Sequence, residues 1–208
     1  MIKFTFYILK GLNMTLILFL ATSLLSIPLG LFIALGGFSK NIFIKKFLSM
    51  YTWLFRGTPL MLQLFFVYYG LPSLGVTFSP LAAAVITFTV NYAAYFSEIF
   101  RGSIMGIDDG QYEAAKVLGM NYTQTMYRII IPQALRTAMP SIGNELLGLI
   151  KNTSLISTIG VAEILRNSRE IVTREFSIIP FAICGCIYLL LSTIIEYYLK
   201  KIEKRVVI

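Results

Sequence analysis

Apolar runs of about 20 residues or more recur five times along this 208-residue chain, and that is the length a helix needs to cross roughly 30 Å of hydrocarbon. They cover 12–38, 47–71, 79–100, 139–160 and 178–199. In lipid the backbone must satisfy its own polar groups, so such runs are expected as helices. The expected fold is all-α: a polytopic membrane protein with five transmembrane helices, one domain over 1–208. The composition agrees, with 57% hydrophobic residues and a mean hydropathy of +0.76. The first run is too long for an ordinary cleaved signal peptide and lacks its cleavage pattern.

The formal charge is +8. The cations sit at the ends of apolar runs, the habit of membrane proteins, so no nucleic-acid partner is expected. Lys40, Lys45 and Lys46 follow the first run. Arg101, Lys116, Arg128 and Arg136 lie in the long connector after the third, and Lys200, Lys201, Lys204 and Arg205 in the tail. Positive segments stay inside, so the connector and C-terminus are expected inside and the N-terminus outside. Residues 1–12, which mix Lys3 and Lys10 with aromatics, can lie flat at the outer interface. There is no histidine, and Cys184 and Cys186 are two apart in an apolar run. A helix points them in different directions, so no metal site or disulfide is expected.

The second run is interrupted by FRGTP, residues 55–59. Pro59 removes a backbone donor, disfavours helix at Thr58, and follows the permissive Gly57. Residues 59–71 alone are too short to span, so one span should be broken within the membrane. Thr58 is expected as the N-cap and Pro59 as the first residue of a new half-helix, whose positive end suits a substrate carboxylate. Arg56 adds a fixed charge beside it. The alternative is a packing kink with Arg56 paired to a carboxylate.

The fourth run carries Ser141, Asn144, Glu145, Gly148, Lys151 and Asn152 at helical spacing opposite a Leu/Ile face. Ionisable groups within a span mark pathways or internal ion pairs. Glu145 can meet a substrate ammonium or guanidinium, or else Lys151 or Arg56. On the third run Asn91 and Glu98 lie two turns apart, with Arg101 in reach of Glu98. The candidate substrate set is therefore Glu145, Asn144, Lys151, Arg56, Gly57, Thr58, Asn91 and Glu98. Glu163, after the fourth run, is expected on a solvated or receptor-docking face.

The connector, about 102–138, reads DDGQYEAAKVLGMNYTQTMYRIIIP over 108–132. Asp108 with Gln111, and Asn121 with Gln124, have capping-box spacing. Gly119 is expected as a left-handed stop that ends the first connector helix. Pro132 is expected to end or kink the second helix. Glu113-Ala114-Ala115, then Gly119, then Ile129 to Pro132 resembles the EAA motif of bacterial ABC importer permeases, with Ile131 in place of the usual Leu. RGTPLMLQLFFVYYG and IPQALRTAMPSIGNELLGLIKNTSLISTIGVAEI resemble the subgroup for polar amino acids such as histidine, glutamine and arginine.

The resemblance implies a permease subunit in the bacterial cytoplasmic membrane whose cytoplasmic coupling helix, with Glu113, Ala114, Ala115 and Gly119, seats in a separate ATPase. The chain has no phosphate-binding G-x-x-x-x-G-K-[ST] loop, so it is not expected to be an enzyme. No cofactor is expected on it, and ATP-Mg belongs to the two ATPase subunits. The further partners implied are a second permease subunit (an identical or similar chain), an extracytoplasmic binding protein and the amino acid. A cationic substrate is the leading expectation and a neutral or acidic polar amino acid the alternative. A stand-alone ion-coupled carrier is the rival class, though no internal repeat is visible.

Overall fold

The computed structural model describes residues 2–206, and the side chains through Lys204. Met1, Val207 and Ile208 lie outside that description, as does the side chain of Arg205, one of the cations used to orient the tail. Every regular element among the described residues is helical. The α-helices in order are α1 (Ile2–Leu9), α2 (Leu12–Gly37), α3 (Ile42–Gly57), α4 (Leu60–Phe65), α5 (Pro80–Met105), α6 (Asp109–Val117), α7 (Tyr122–Thr125), α8 (Ile131–Asn152), α9 (Ile164–Glu175) and α10 (Ile179–Val206), with short π or 3-10 turns between some of them. Two stretches, Ile2–Gly37 and Ile179–Lys204, are long and apolar enough by themselves to cross a membrane. The middle three runs are helical too, but each is broken or carries interior polar groups.

α5 is the central helix, packed against α2, α3, α4 and α8. Its Phe88, Phe96 and Phe100 are buried with Leu18, Leu64, Leu149 and Ile150 in the main core. The approach of α2 depends on Gly30, where a Cβ would lie 2.6 Å from the Phe96 Cβ and 3.0 Å from the Ala93 carbonyl oxygen. Small residues allow such close packing where helices lack a hydrophobic drive to associate. Large apolar side chains such as Leu24, Phe32 and Leu189 point outward.

Four local expectations need correction. Pro59 is not the first helical residue: it is itself the N-cap of α4, extended at φ −62° and ψ 132°, and Thr58 is the extended C-cap of α3. The Thr58 hydroxyl donates backward to the Leu54 carbonyl (2.8 Å) and caps nothing ahead of it. Pro132 does not end the second connector helix. A π turn over Met126–Ile130 joins α7 to α8, and this wider turn accommodates the donor that proline lacks. Asp108 caps α6 through the Gly110 N–H (2.8 Å), while Gln111 reaches Gln133 instead of closing a box. The box at Asn121 and Gln124 does form.

The fourth correction concerns Glu163, which immediately precedes α9. Glu163, expected on a docking face, is fully buried as its N-cap. Its carboxylate accepts from the Leu165 N–H (2.7 Å), the Arg166 N–H (2.6 Å) and the Tyr188 hydroxyl (2.9 Å). Burial pushes its carboxyl above the usual range, opposed by those three donors and by the Arg169 charge. A carboxylate at a helix N-terminus satisfies otherwise orphaned N–H groups, which explains a buried acid better than solvent does. α1 is held against α9 and α10: Tyr7 donates to Glu170 (2.6 Å), and Asn167 donates to the Tyr7 carbonyl (3.1 Å).

Candidate substrate cavity and coupling segment

The break between α3 and α4 is fixed by Gln63. Its amide nitrogen donates to the Phe55 carbonyl (3.0 Å), the Thr58 carbonyl (3.1 Å) and the Thr58 hydroxyl (2.7 Å). Its amide oxygen accepts from Asn91 (3.0 Å), which also donates to the Phe55 carbonyl at 2.8 Å. Carbonyls freed by Pro59 thus find side-chain partners, the condition for irregular backbone at depth.

Against this stitched break lies a cavity of about 500 Å³. Arg56, Gly57 and Thr58 line it from the break, Asn91 from α5 and Glu145 from α8, so five of the eight candidate substrate residues meet there. Pro59, Leu60, Tyr92, Tyr95, Gly148 and Asn152 complete the wall, and Asn152 donates to the Tyr92 hydroxyl at 2.8 Å. The Arg56 guanidinium lies 5.6 Å from the Tyr95 ring centre, a cation–π distance. Glu145 is half-buried, and no hydrogen bond or ion pair among the described residues reaches its carboxylate. The cavity therefore offers one cation and one free carboxylate, framed by aromatic faces.

The other three candidates are elsewhere. Glu98 holds Arg101 through three contacts of 2.6–3.2 Å and stands 3.6 Å from Arg56, beside the cavity and outside its lining. Asn144 is exposed and lines a small separate cavity with Glu196, Lys200 and Glu203. Lys151 is exposed, outside the substrate cavity's lining. The geometry is simple: Asn144 and Lys151 are seven apart and share a line about 100° around α8 from Glu145. Gln63, Tyr92 and Tyr95 were missed. Gln63 had a signal, as a lone amide four residues after a helix-breaking proline.

On the connector, Glu113 and Ala114 are exposed on α6, whereas Ala115 is fully buried. Gly119 is left-handed, at φ 73°, as its spacing predicts. On either side of it the large apolar side chains Val117 (87%), Leu118 (76%), Tyr122 (63%) and Tyr127 (78%) are exposed. An apolar group of this kind on a charged segment suits contact with another protein. Ile104, Met126, Ile130 and Ala134 form a separate core that fixes the segment to α5 and α8.

Apolar helices enclosing a small polar cavity, with a separate helix presented outside them, are the build of a membrane transport subunit. Residues 26–208 match the family described as binding-protein-dependent transport system inner membrane component, and the chain belongs to that family. It is 38% identical over 200 residues to the probable amino-acid ABC transporter permease protein YckA of Bacillus subtilis, covering 96% of this chain and 88% of that one. The arginine transport system permease protein ArtQ of Bacillus subtilis is 37% identical over 204 residues, covering 96% and 92%. A solved amino acid ABC transporter described as being with histidines superposes at a TM-score of 0.92 with 35% identity, covering 99% of this chain and 96% of that one. Relatives of similar identity are named as permeases for glutamine and for L-cystine. The chain is thus a permease of the amino-acid ABC importer class, whose ATPase is a separate subunit.

Proposed function

We propose that this chain is the permease of an ATP-driven importer for cationic amino acids: arginine, lysine or histidine. The observation that carries this is Glu145, a carboxylate with no hydrogen bond or ion pair among the described residues, in the same cavity as Arg56 and the broken backbone at Gly57 and Thr58. A substrate side-chain cation meets Glu145 while its α-carboxylate meets Arg56 and the N–H groups that open α4. Water or such a cation is what allows an acid at this depth to stay charged.

In this reading the five apolar runs are five spans, with the N-terminus outside and α6 and the C-terminus in the cytoplasm. Two permease subunits, identical or similar, enclose one alternating-access pathway. Each α6 seats in an ATPase subunit, which holds ATP-Mg, and this chain binds no cofactor of its own. The extracytoplasmic binding protein docks on residues 161–177, where Arg174 pairs with Glu175 at 2.9 Å and Arg166 with Glu170 at 3.2 Å. The relatives named for glutamine favour a second reading, a neutral polar substrate. Competition binding of the common amino acids to the detergent-solubilised whole transporter tests the two. Arginine, lysine or histidine should compete best, and glutamine as the strongest competitor would replace the cationic reading.

A further inference from the structure

Arg56 also lines a second cavity, of about 520 Å³, between α2, α3 and α5. Three cations and one carboxylate line it. Arg101 and Arg56 both share Glu98, at 2.6 and 3.6 Å from the same oxygen. Lys45, on the first turn of α3, lines the cavity, and its ammonium has no hydrogen bond or ion pair among the described residues. Three positive charges against one negative leave the lining at +2. No substrate of net positive charge is drawn to such a lining, so the cavity has a different ligand chemistry from the one beside Glu145.

Its surroundings narrow that chemistry. Leu48 and Trp53 are in the wall, and Trp53 is 74% exposed. Phe43, Phe47 and Met50 of the same helix are also exposed. An anion seated among the cations would therefore have an apolar surface running away from it along α3. A free phosphate would use only the charged part, whereas a phospholipid would use both. Basic pockets between membrane helices on the cytoplasmic side suit anionic headgroups, and tryptophan favours headgroup depth.

We propose that the cavity between α2, α3 and α5 binds the phosphate of an anionic phospholipid from the cytoplasmic leaflet, with Lys45 and Arg101 as donors and an acyl chain lying along α3. The cytoplasmic placement rests on the orientation proposed above. Because Arg56 and Glu98 stand between the two cavities, a headgroup on Arg101 would loosen the hold of Glu98 on Arg101 and strengthen it on Arg56. Lipid occupancy would thereby bear on the charge that faces the substrate.

The test is retention of phosphatidylglycerol against phosphatidylcholine by the purified whole transporter, read by native mass spectrometry. The parent should retain phosphatidylglycerol preferentially. Lys45→Gln should lower that retention about five-fold, the worth of one basic residue near an anionic surface. Lys46→Gln, outside the cavity lining, should not change it, and Lys45→Arg should restore it. Equal retention by Lys45→Gln and Lys46→Gln would overturn the proposal. Displacement of the lipid by inorganic phosphate alone would identify a free-anion site, and displacement by arginine a substrate site; either also overturns it. Retention is measured without transport, so its failure leaves the permease reading standing. Labelling of a Lys45→Cys variant from outside intact cells would instead overturn the orientation.

Discussion

Replacing Gln63 by leucine keeps the size of the side chain and removes its amide. Four hydrogen bonds are lost, but their partners are not equally exposed to the loss. The Phe55 carbonyl keeps Asn91, and the Thr58 hydroxyl keeps its bond to the Leu54 carbonyl. The Thr58 carbonyl is left with no partner among the described residues. An orphaned buried carbonyl costs about 1–3 kcal/mol. Thr58 is half-buried and borders the cavity, where water reaches, so about 1–2 kcal/mol is appropriate. In the free variant the break relaxes to hydrate that carbonyl, so the cost is met on binding, when the proposed substrate carboxylate demands the original backbone. Substrate affinity should therefore drop roughly five- to thirty-fold, while the melting temperature of the assembled transporter changes little. Isothermal titration of the detergent-solubilised complex, with a thermal melt alongside, reads both. Parental affinity in a folded Gln63→Leu variant would refute the idea that this amide holds the break in its binding conformation.

Three further outcomes are expected. Gly119→Val forces a β-branched residue into the left-handed region at a local cost of about 1–2 kcal/mol, with open space around it, so membrane insertion should survive while substrate-stimulated ATP hydrolysis and transport fall together; normal stimulation would sink the coupling role. A cysteine at Thr173 should react with an impermeant thiol reagent from outside intact cells, and one at Thr123 only after the membrane is opened; the reverse would overturn the orientation. The Glu170 carboxyl is held below its usual range, first by the Tyr7 hydroxyl, so its contribution is present above the unfolded value of about 4.3 and is lost as pH falls through the lower folded value. Tyr7→Phe should flatten the acid side of the stability profile, and an unchanged profile would show that this contact between α1 and α9 adds nothing.

Much of this architecture is written in local chemistry. The apolar runs are helices, Gly119 is left-handed, and the box at Asn121 forms, because each depends on a few neighbouring residues. The break at Gly57–Pro59 was equally legible, since proline acts on its own backbone whatever surrounds it. Its partner was not: Gln63 and Asn91 meet only because α5 packs across the break, which no spacing in the sequence reveals. Glu163 failed for the same reason, since its burial depends on Tyr188 arriving from α10. On α8 the polar stripe was too broad. Glu145, Gly148 and Asn152 share one face, but Asn144 and Lys151 belong to another, and only packing against α5 and α10 separates them.

Glu145→Gln tests the central claim most directly, because it removes the cavity's free carboxylate and preserves its shape. Binding of arginine, lysine and histidine to the variant transporter should weaken by roughly 1.5–3 kcal/mol, the scale of a charge-assisted hydrogen bond. Binding of glutamine should change much less. A variant that binds the three cationic amino acids as tightly as the parent would make Glu145 structural and contradict the cationic reading.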